Sequence, residues 1–160
     1  IGLIAIIIFM TGFYRIPGLL ASVALLGYIL LMSAVLKLVG ATLTLPGIAG
    51  FILTMGIAVD ANVIIFERIK DERREGVPLK TAITNGFSRA FTAIFDSNVT
   101  ALLGACVLFW LGTGSIRGFA VTLSLGIIIS MFTAITVTRV LLELLLLKVE
   151  DKNDTFLFKG

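Results

Sequence analysis

Histidine is absent from this 160-residue chain, and cysteine occurs once, at Cys106. A single thiol excludes an intrachain disulfide, and without His or paired Cys the usual zinc sites, catalytic triads and Cys–His nucleophile pairs lack their parts. Most hydrolytic and metal chemistry goes with them, so neither an enzyme nor a cofactor is expected. Charge is scarce too: 14% of residues are Asp, Glu, Lys or Arg against 58% hydrophobic, and the mean hydropathy is +1.10. A water-soluble domain needs a polar coat that so few charges, most of them crowded into short stretches, cannot supply. The composition suits a protein whose solvent is a bilayer.

The net charge of +3 could suggest nucleic acid, but the placement of the basic residues argues otherwise. Lys and Arg fall at 15, at 68, 70, 73, 74, 80 and 89, and at 139, 148, 152 and 159, leaving only Lys37 and Arg117 for the other breaks. Alternate crossings put the first eleven on one side of the membrane, which the positive-inside rule identifies as the cytoplasm. The basic balance sets orientation, and no nucleic-acid partner is needed to explain it.

Apolar runs separated by turn residues divide the chain into five spans at about 1–13, 18–39, 46–66, 92–111 and 119–138. The first covers only about 20 Å as a helix, short of the roughly 30 Å hydrocarbon core, and is read as the cut end of a longer helix. Tyr14, Arg15, Ile16, Pro17 and Gly18 form the first inner break, and Gly40 to Leu45 an outer one before Pro46 opens the next helix. Residues 67–91 hold a charged helical extension with an Arg68–Glu72 pair, a Gly76/Pro78 stop, and an amphipathic helix on the inner surface. That helix sets Leu79, Ala82, Ile83, Phe87, Ala90 and Phe91 at helical spacing. Residues 112–118 form a glycine-rich outer turn, residues 1–147 a transmembrane domain, and 148–160 a cytoplasmic tail.

Lipid offers helices no hydrophobic reason to associate, so stripes of small residues are the packing signal to look for. Gly118, Thr122, Gly126, Ser130, Ala134 and Thr138 recur every four residues on the last span, and Gly50, Thr54, Ala58 and Asn62 on the third. Ser88, Thr92, Asp96, Thr100 and Gly104 do so on the fourth, whereas the Leu-rich second span has no such stripe and should be peripheral.

Two carboxylates lie inside spans. Asp60 is about 21 Å along its helix from Pro46 and about 10 Å short of Glu67, within the hydrocarbon, where a short side chain cannot snorkel. An Asp at a helix centre costs about 2.5–3.5 kcal/mol on insertion scales and is rarely kept without a task. It lies about 200° around the helix from Ala58 and Asn62, so both faces of the third span need protein or water, and that span should be central. Asp96 repeats the pattern: Asp96-Ser97-Asn98-Val99 on the outward-running span echoes Asp60-Ala61-Asn62-Val63 on the inward-running one, at matched depth. Desolvation raises a carboxylate pKa toward ambient pH, which suits a proton carrier. The residues alone leave open a second role, neutral carboxyls gluing helices by hydrogen bonds. Asn62, Asn98 and Thr100 read as supporting hydrogen-bond partners.

The run Ala58-Val59-Asp60-Ala61-Asn62-Val63-Ile64-Ile65-Phe66-Glu67-Arg68-Ile69 closely resembles the SecD branch of the SecD/SecF protein-export family. The resemblance extends through Leu43-Thr44-Leu45-Pro46-Gly47, Phe95-Asp96-Ser97-Asn98-Val99-Thr100, Gly112-Thr113-Gly114, Gly118-Phe119-Ala120-Val121-Thr122, Met131-Phe132-Thr133-Ala134 and Val137-Thr138-Arg139. It implies an all-α, polytopic transmembrane bundle of the resistance-nodulation-division type, of which this chain is the C-terminal five membrane helices. It implies a bacterial inner or plasma membrane location with the C-terminus cytoplasmic, and Asp60 at the family's proton-pathway position. It further implies a subunit that uses the proton motive force to help the SecYEG channel export preproteins. Its partners would be SecF, separate or fused, SecYEG and, as a further candidate, YajC. The preprotein would be engaged by a periplasmic domain upstream of Ile1. Two alternatives stand beside this reading: a proton-coupled small-solute antiporter of the wider superfamily, and a purely structural translocon module.

Overall fold

The computed structural model describes the backbone of residues 2–41 and 44–149. The described residues are almost entirely helical: α1 (Gly2–Leu38), α2 (Leu45–Arg74), α3 (Leu79–Leu111), α4 (Ser115–Phe132), a π-helical turn (Thr133–Val137) and α5 (Thr138–Val149). The tail expected from residue 148 lies, beyond Val149, outside the described residues.

α1 is helical throughout but not straight. The Cα of Gly18 sits against the carbonyl of Met10, with Thr11 N 3.0 Å from where a Cβ would project. In a straight helix those residues lie about 12 Å apart, so the chain doubles back between them. Pro17 supplies the means, because it removes one backbone donor and its ring displaces the carbonyl four residues earlier. The break expected at Tyr14–Gly18 is therefore a sharp bend without an intervening loop. It separates a short apolar arm, Ile4–Tyr14, from a full-length span, Ile16–Leu38. With α2, α3 and the α4–α5 rod, four helices are long and apolar enough to cross a membrane.

α2 starts where Thr44 accepts a hydrogen bond from Gly47 N and Pro46 occupies a position that needs no donor. It ends at Gly76, whose φ of +83° favours glycine, with Pro78 preventing continuation. α2 is the hub, packing against α1, α3 and α4. α1 is peripheral, as expected: it buries Leu25, Tyr28, Met32 and Leu36 and leaves Leu19, Val23, Leu26 and Leu30 open.

Three expectations need correction. The segment from Leu79 is not a surface helix followed by a span, since Leu79–Leu111 is one helix of 33 residues. Its apolar stripe of Leu79, Ala82, Ile83, Phe87 and Ala90 is buried against Ile65, Phe66 and Ile69 of α2, and only Phe91 is exposed. Protein, and not lipid, satisfies the amphipathic face. The outer turn is shorter than residues 112–118, because helix resumes at Ser115 after Gly114 and Arg117 Nε donates to Gly112 O at 2.8 Å.

The third correction concerns Glu72, which pairs with α3 and not with Arg68. Its carboxylate is 2% exposed, accepts from Asn85 Nδ2 at 2.8 Å and meets Arg89 Nη1 at 2.8 Å, while Arg68 reaches Asp71. Removing the acceptor leaves the part-buried Asn85 amide with no equivalent partner, so Glu72→Ala should lose about 2 kcal/mol. Glu72→Gln keeps a carbonyl for Asn85 and should lose less. Denaturation of the two variants in detergent micelles measures the difference.

Candidate functional site

Two of the three stripes meet each other. α2 and α4 run parallel in close contact: Gly50 lies against Phe119, Gly47 near Thr122, Gly118 against Thr44, and Gly126 against the Thr54 side chain. Thr54, Ala58, Thr122, Ser130 and Ala134 are all buried. Tyr28 Oη donates to Thr54 Oγ1 at 2.6 Å, which ties α1 to the same seam. At the far end Thr138 Oγ1 donates to Asn62 Oδ1 at 2.7 Å, both residues being buried. Asn62 is thus a packing residue of the α2–α5 contact. Asn62→Ala and Thr138→Val should each weaken the bundle, with a coupling of about 0.6 kcal/mol in a double-mutant cycle.

The π turn sits directly before Thr138. Thr133 Oγ1 bonds the carbonyls of Ile129 and Ser130, so the widened helix keeps its polar groups satisfied as the rod enters this layer. The sequence gives no period change that would announce it.

Asp60 points the other way, as the helical rotation predicts. Its carboxylate opens into a groove of about 270 Å³ between α2 and α3, lined by Ile57, Asp60, Ala61 and Ile64 on one side and Ile94, Ser97, Asn98 and Ala101 on the other. Asn98 is 3% exposed, and its Nδ2 donates to Ile94 O at 2.7 Å. Its Oδ1 is buried without a hydrogen-bond partner among the described residues. A buried acceptor left open beside a carboxylate is an arrangement that a protonated carboxyl or a water can complete. Ser97, not singled out from the sequence, adds a hydroxyl to the same lining. Its position next to Asn98 in the repeated Asp-x-Asn unit was the available signal.

The structure does not bring the two aspartates together. Asp96 is exposed on a different face of α3 and is absent from the groove lining, and Thr100 Oγ1 bonds back to Asp96 O at 2.9 Å. Thr92, Asp96, Thr100 and Gly104 of that stripe face out of the chain, with nothing within 4 Å of a Cβ at Gly104, and Ser88 stands at the rim of a separate groove. The polar layer expected of Asp60, Asp96, Asn62, Asn98 and Thr100 thus divides into three. Asp60 with Asn98 and Ser97 lines the groove, Asn62 is locked to Thr138, and Asp96 with Thr100 lies on an outer face. A helix presents side chains around its whole circumference, so matched depth did not ensure a matched direction. Asp60 is itself exposed, so α2, although it contacts the other long helices, leaves its acidic side open.

Among the described residues no group of three Asp, Glu, His or Cys side chains is placed to hold a metal.

Comparison with known proteins shows the family. Residues 1–148 match the family described as Protein export membrane protein SecD/SecF, C-terminal. The chain is 60% identical over 146 residues to the protein translocase subunit SecD of Acidaminococcus fermentans, covering 91% of this chain and 35% of that protein. With the same subunit of Synechocystis it shares 51% over 147 residues, covering 92% and 31%. The crystal structure of SecDF, a translocon-associated membrane protein from Thermus thermophilus, superposes with a TM-score of 0.90 at 43% identity, over 99% of this chain and 22% of that one. The chain spans about a third of the length of the SecD relatives it matches. By a family match across nearly its whole length and by the helical architecture it shares with SecDF, this chain belongs to the SecD/SecF family of protein-export membrane proteins.

Proposed function

We propose that the chain is the membrane part of a subunit that uses a proton gradient to assist preprotein export through a SecYEG-type channel, with Asp60 as the proton-binding group. The observation that carries this reading is a carboxylate within an apolar span, lining a groove together with Asn98, whose Oδ1 is buried without a partner among the described residues. In that setting a protonated carboxyl has an acceptor for its proton in Asn98 Oδ1, which the anion cannot use. The two protonation states therefore favour different contents of the groove. Proton movement down a membrane potential supplies about 2.3 kcal/mol per 100 mV to any conformational equilibrium coupled to that choice.

The exposed side of α2 and the Asp96 and Thr100 face of α3 are the natural seats for a SecF half, separate or fused, which would close the groove. SecYEG, with YajC as a further partner, and a periplasmic domain contacting the preprotein complete the assembly. The eleven basic residues favour the α2–α3 hairpin and the C-terminus in the cytoplasm. Infrared difference spectroscopy on the full-length protein tests the proton-binding role. The expected result is a protonated-carboxyl band that titrates with pH and disappears in Asp60→Asn. Its persistence unchanged in that variant would overturn the assignment.

A further inference from the structure

A second groove opens at the basic end of the bundle, separate from the one holding Asp60. It encloses about 280 Å³ between α3, the π turn and the start of α5, over Ile65 of α2. Its lining is graded along the helix axis. Thr84 and Ser88 stand toward the charged end of α3 beside Phe87, with Arg139 across from them, whereas Phe91 and Ile94 lie deeper and Ile135 is one turn deeper than Arg139. Thr84 to Ile94 spans about 15 Å of helix, which is half of a roughly 30 Å hydrocarbon core. Lys80 lies one turn beyond Thr84 on the same face of α3, and its carbonyl accepts from Thr84 Oγ1 at 3.2 Å. Glu143 engages Arg139 through Nε at 2.9 Å, on one edge of a guanidinium that has five N–H donors.

We propose that this groove holds one anionic phospholipid of the adjoining leaflet. The phosphate lies at Arg139 and the Ser88 hydroxyl, within the field of Lys80, and an acyl chain lies against Ile65, Phe91, Ile94 and Ile135. The polar-to-apolar gradient, its length of one leaflet and the basic rim together match a lipid. A transmembrane helix from a partner would need no such grading and would run the full depth. The lipid would wedge between α3 and the π turn and so help set the spacing of the helices around Asp60. The site stands independently of the proton-carrier role.

The test is native mass spectrometry of the purified full-length protein titrated with phosphatidylglycerol or phosphatidylcholine of identical acyl chains. One phosphatidylglycerol should be retained about five-fold better than phosphatidylcholine, the increment of one basic residue at a membrane surface. Arg139→Gln should lower that preference by at least half, Lys80 remaining, and Arg139→Lys should keep it, which separates lost charge from lost folding. Ile135→Trp, filling the apolar end, should lower retention of both lipids. An unchanged preference in Arg139→Gln, or unchanged retention in Ile135→Trp, would overturn the proposal. So would efficient cross-linking of Ser88→Cys to another polypeptide in native membranes, because a protein would then cover the groove.

Discussion

Replacing Asp60 by Asn should abolish the proton-gradient-dependent component of preprotein export, leaving the rate observed when the gradient is collapsed. The amide has nearly the shape of the acid and can donate to Asn98 Oδ1 as the protonated carboxyl would, so the groove and the fold persist while the exchangeable charge is lost. The expected phenotype is that of a protein held permanently in its protonated state: normal insertion and assembly, and no response to the gradient. Asp60→Glu keeps the charge but adds a methylene to a groove of about 270 Å³, and should retain a fraction of the response. Asp96→Asn should be far milder in the gradient assay, because Asp96 lies outside the groove, and its effect should fall on association with a partner helix. Export into inverted vesicles with and without an uncoupler measures all three. Full gradient stimulation in Asp60→Asn would sink the carrier role.

The second large effect concerns stability. Gly86→Val should destabilise the bundle by about 3 kcal/mol, at the upper end of the usual cost of overpacking. A Cβ at Gly86 would stand 2.9 Å from Ile69 N and 3.1 Å from Ile69 Cα, and backbone cannot swing aside as the end of a side chain can. The substitution therefore has to part α2 from α3 where Gly86 meets the Ile69 backbone. That movement also disturbs the Glu72–Asn85–Arg89 cluster beside it and propagates toward the Asp60 groove. Gly27→Ala is the control, since its Cβ meets nothing within 4 Å and glycine inside a helix is itself unfavourable. It should be neutral or slightly stabilising. Unfolding in mixed micelles, with free energies compared at one detergent fraction, gives both values. A loss below about 1 kcal/mol for Gly86→Val would show that the hairpin slides more freely than its contacts imply.

Much of this chain can be read from its residues because a bilayer makes a strict solvent. Hydrocarbon admits only helices of a certain length, so apolar runs and the Gly/Pro breaks between them are enough to locate the four long spans, although the first run, read as a fifth, is a short arm of α1. Small-residue periodicity likewise identified the α2 and α4 faces, since without a hydrophobic driving force close backbone approach is what remains. Asp60 stood out for the same reason: the medium makes an unneeded carboxylate expensive.

Direction was harder to read than depth. Asp60 and Asp96 sit in echoing tetrapeptides at similar levels, yet only one faces the groove, because which side of α3 meets α2 is decided by Gly86 against Ile69 and by the buried row from Leu79 to Ala90. That row, amphipathic in isolation, fits a membrane surface as well as a neighbouring helix, and only the presence of α2 settles which one it meets. Asn62 shows the same limit, because its partner Thr138 lies 76 residues away and is brought into reach through the π turn. Asn98 was legible as polar, but not as a group with one bond made and one acceptor open. Composition and periodicity thus determined the solvent and where along the chain the apolar runs and the two acids within them fall, since these follow from the free energy of single residues in lipid. The tertiary structure alone decided which acid faces the groove and which amides are committed to packing, since that depends on close contacts between segments far apart in the chain.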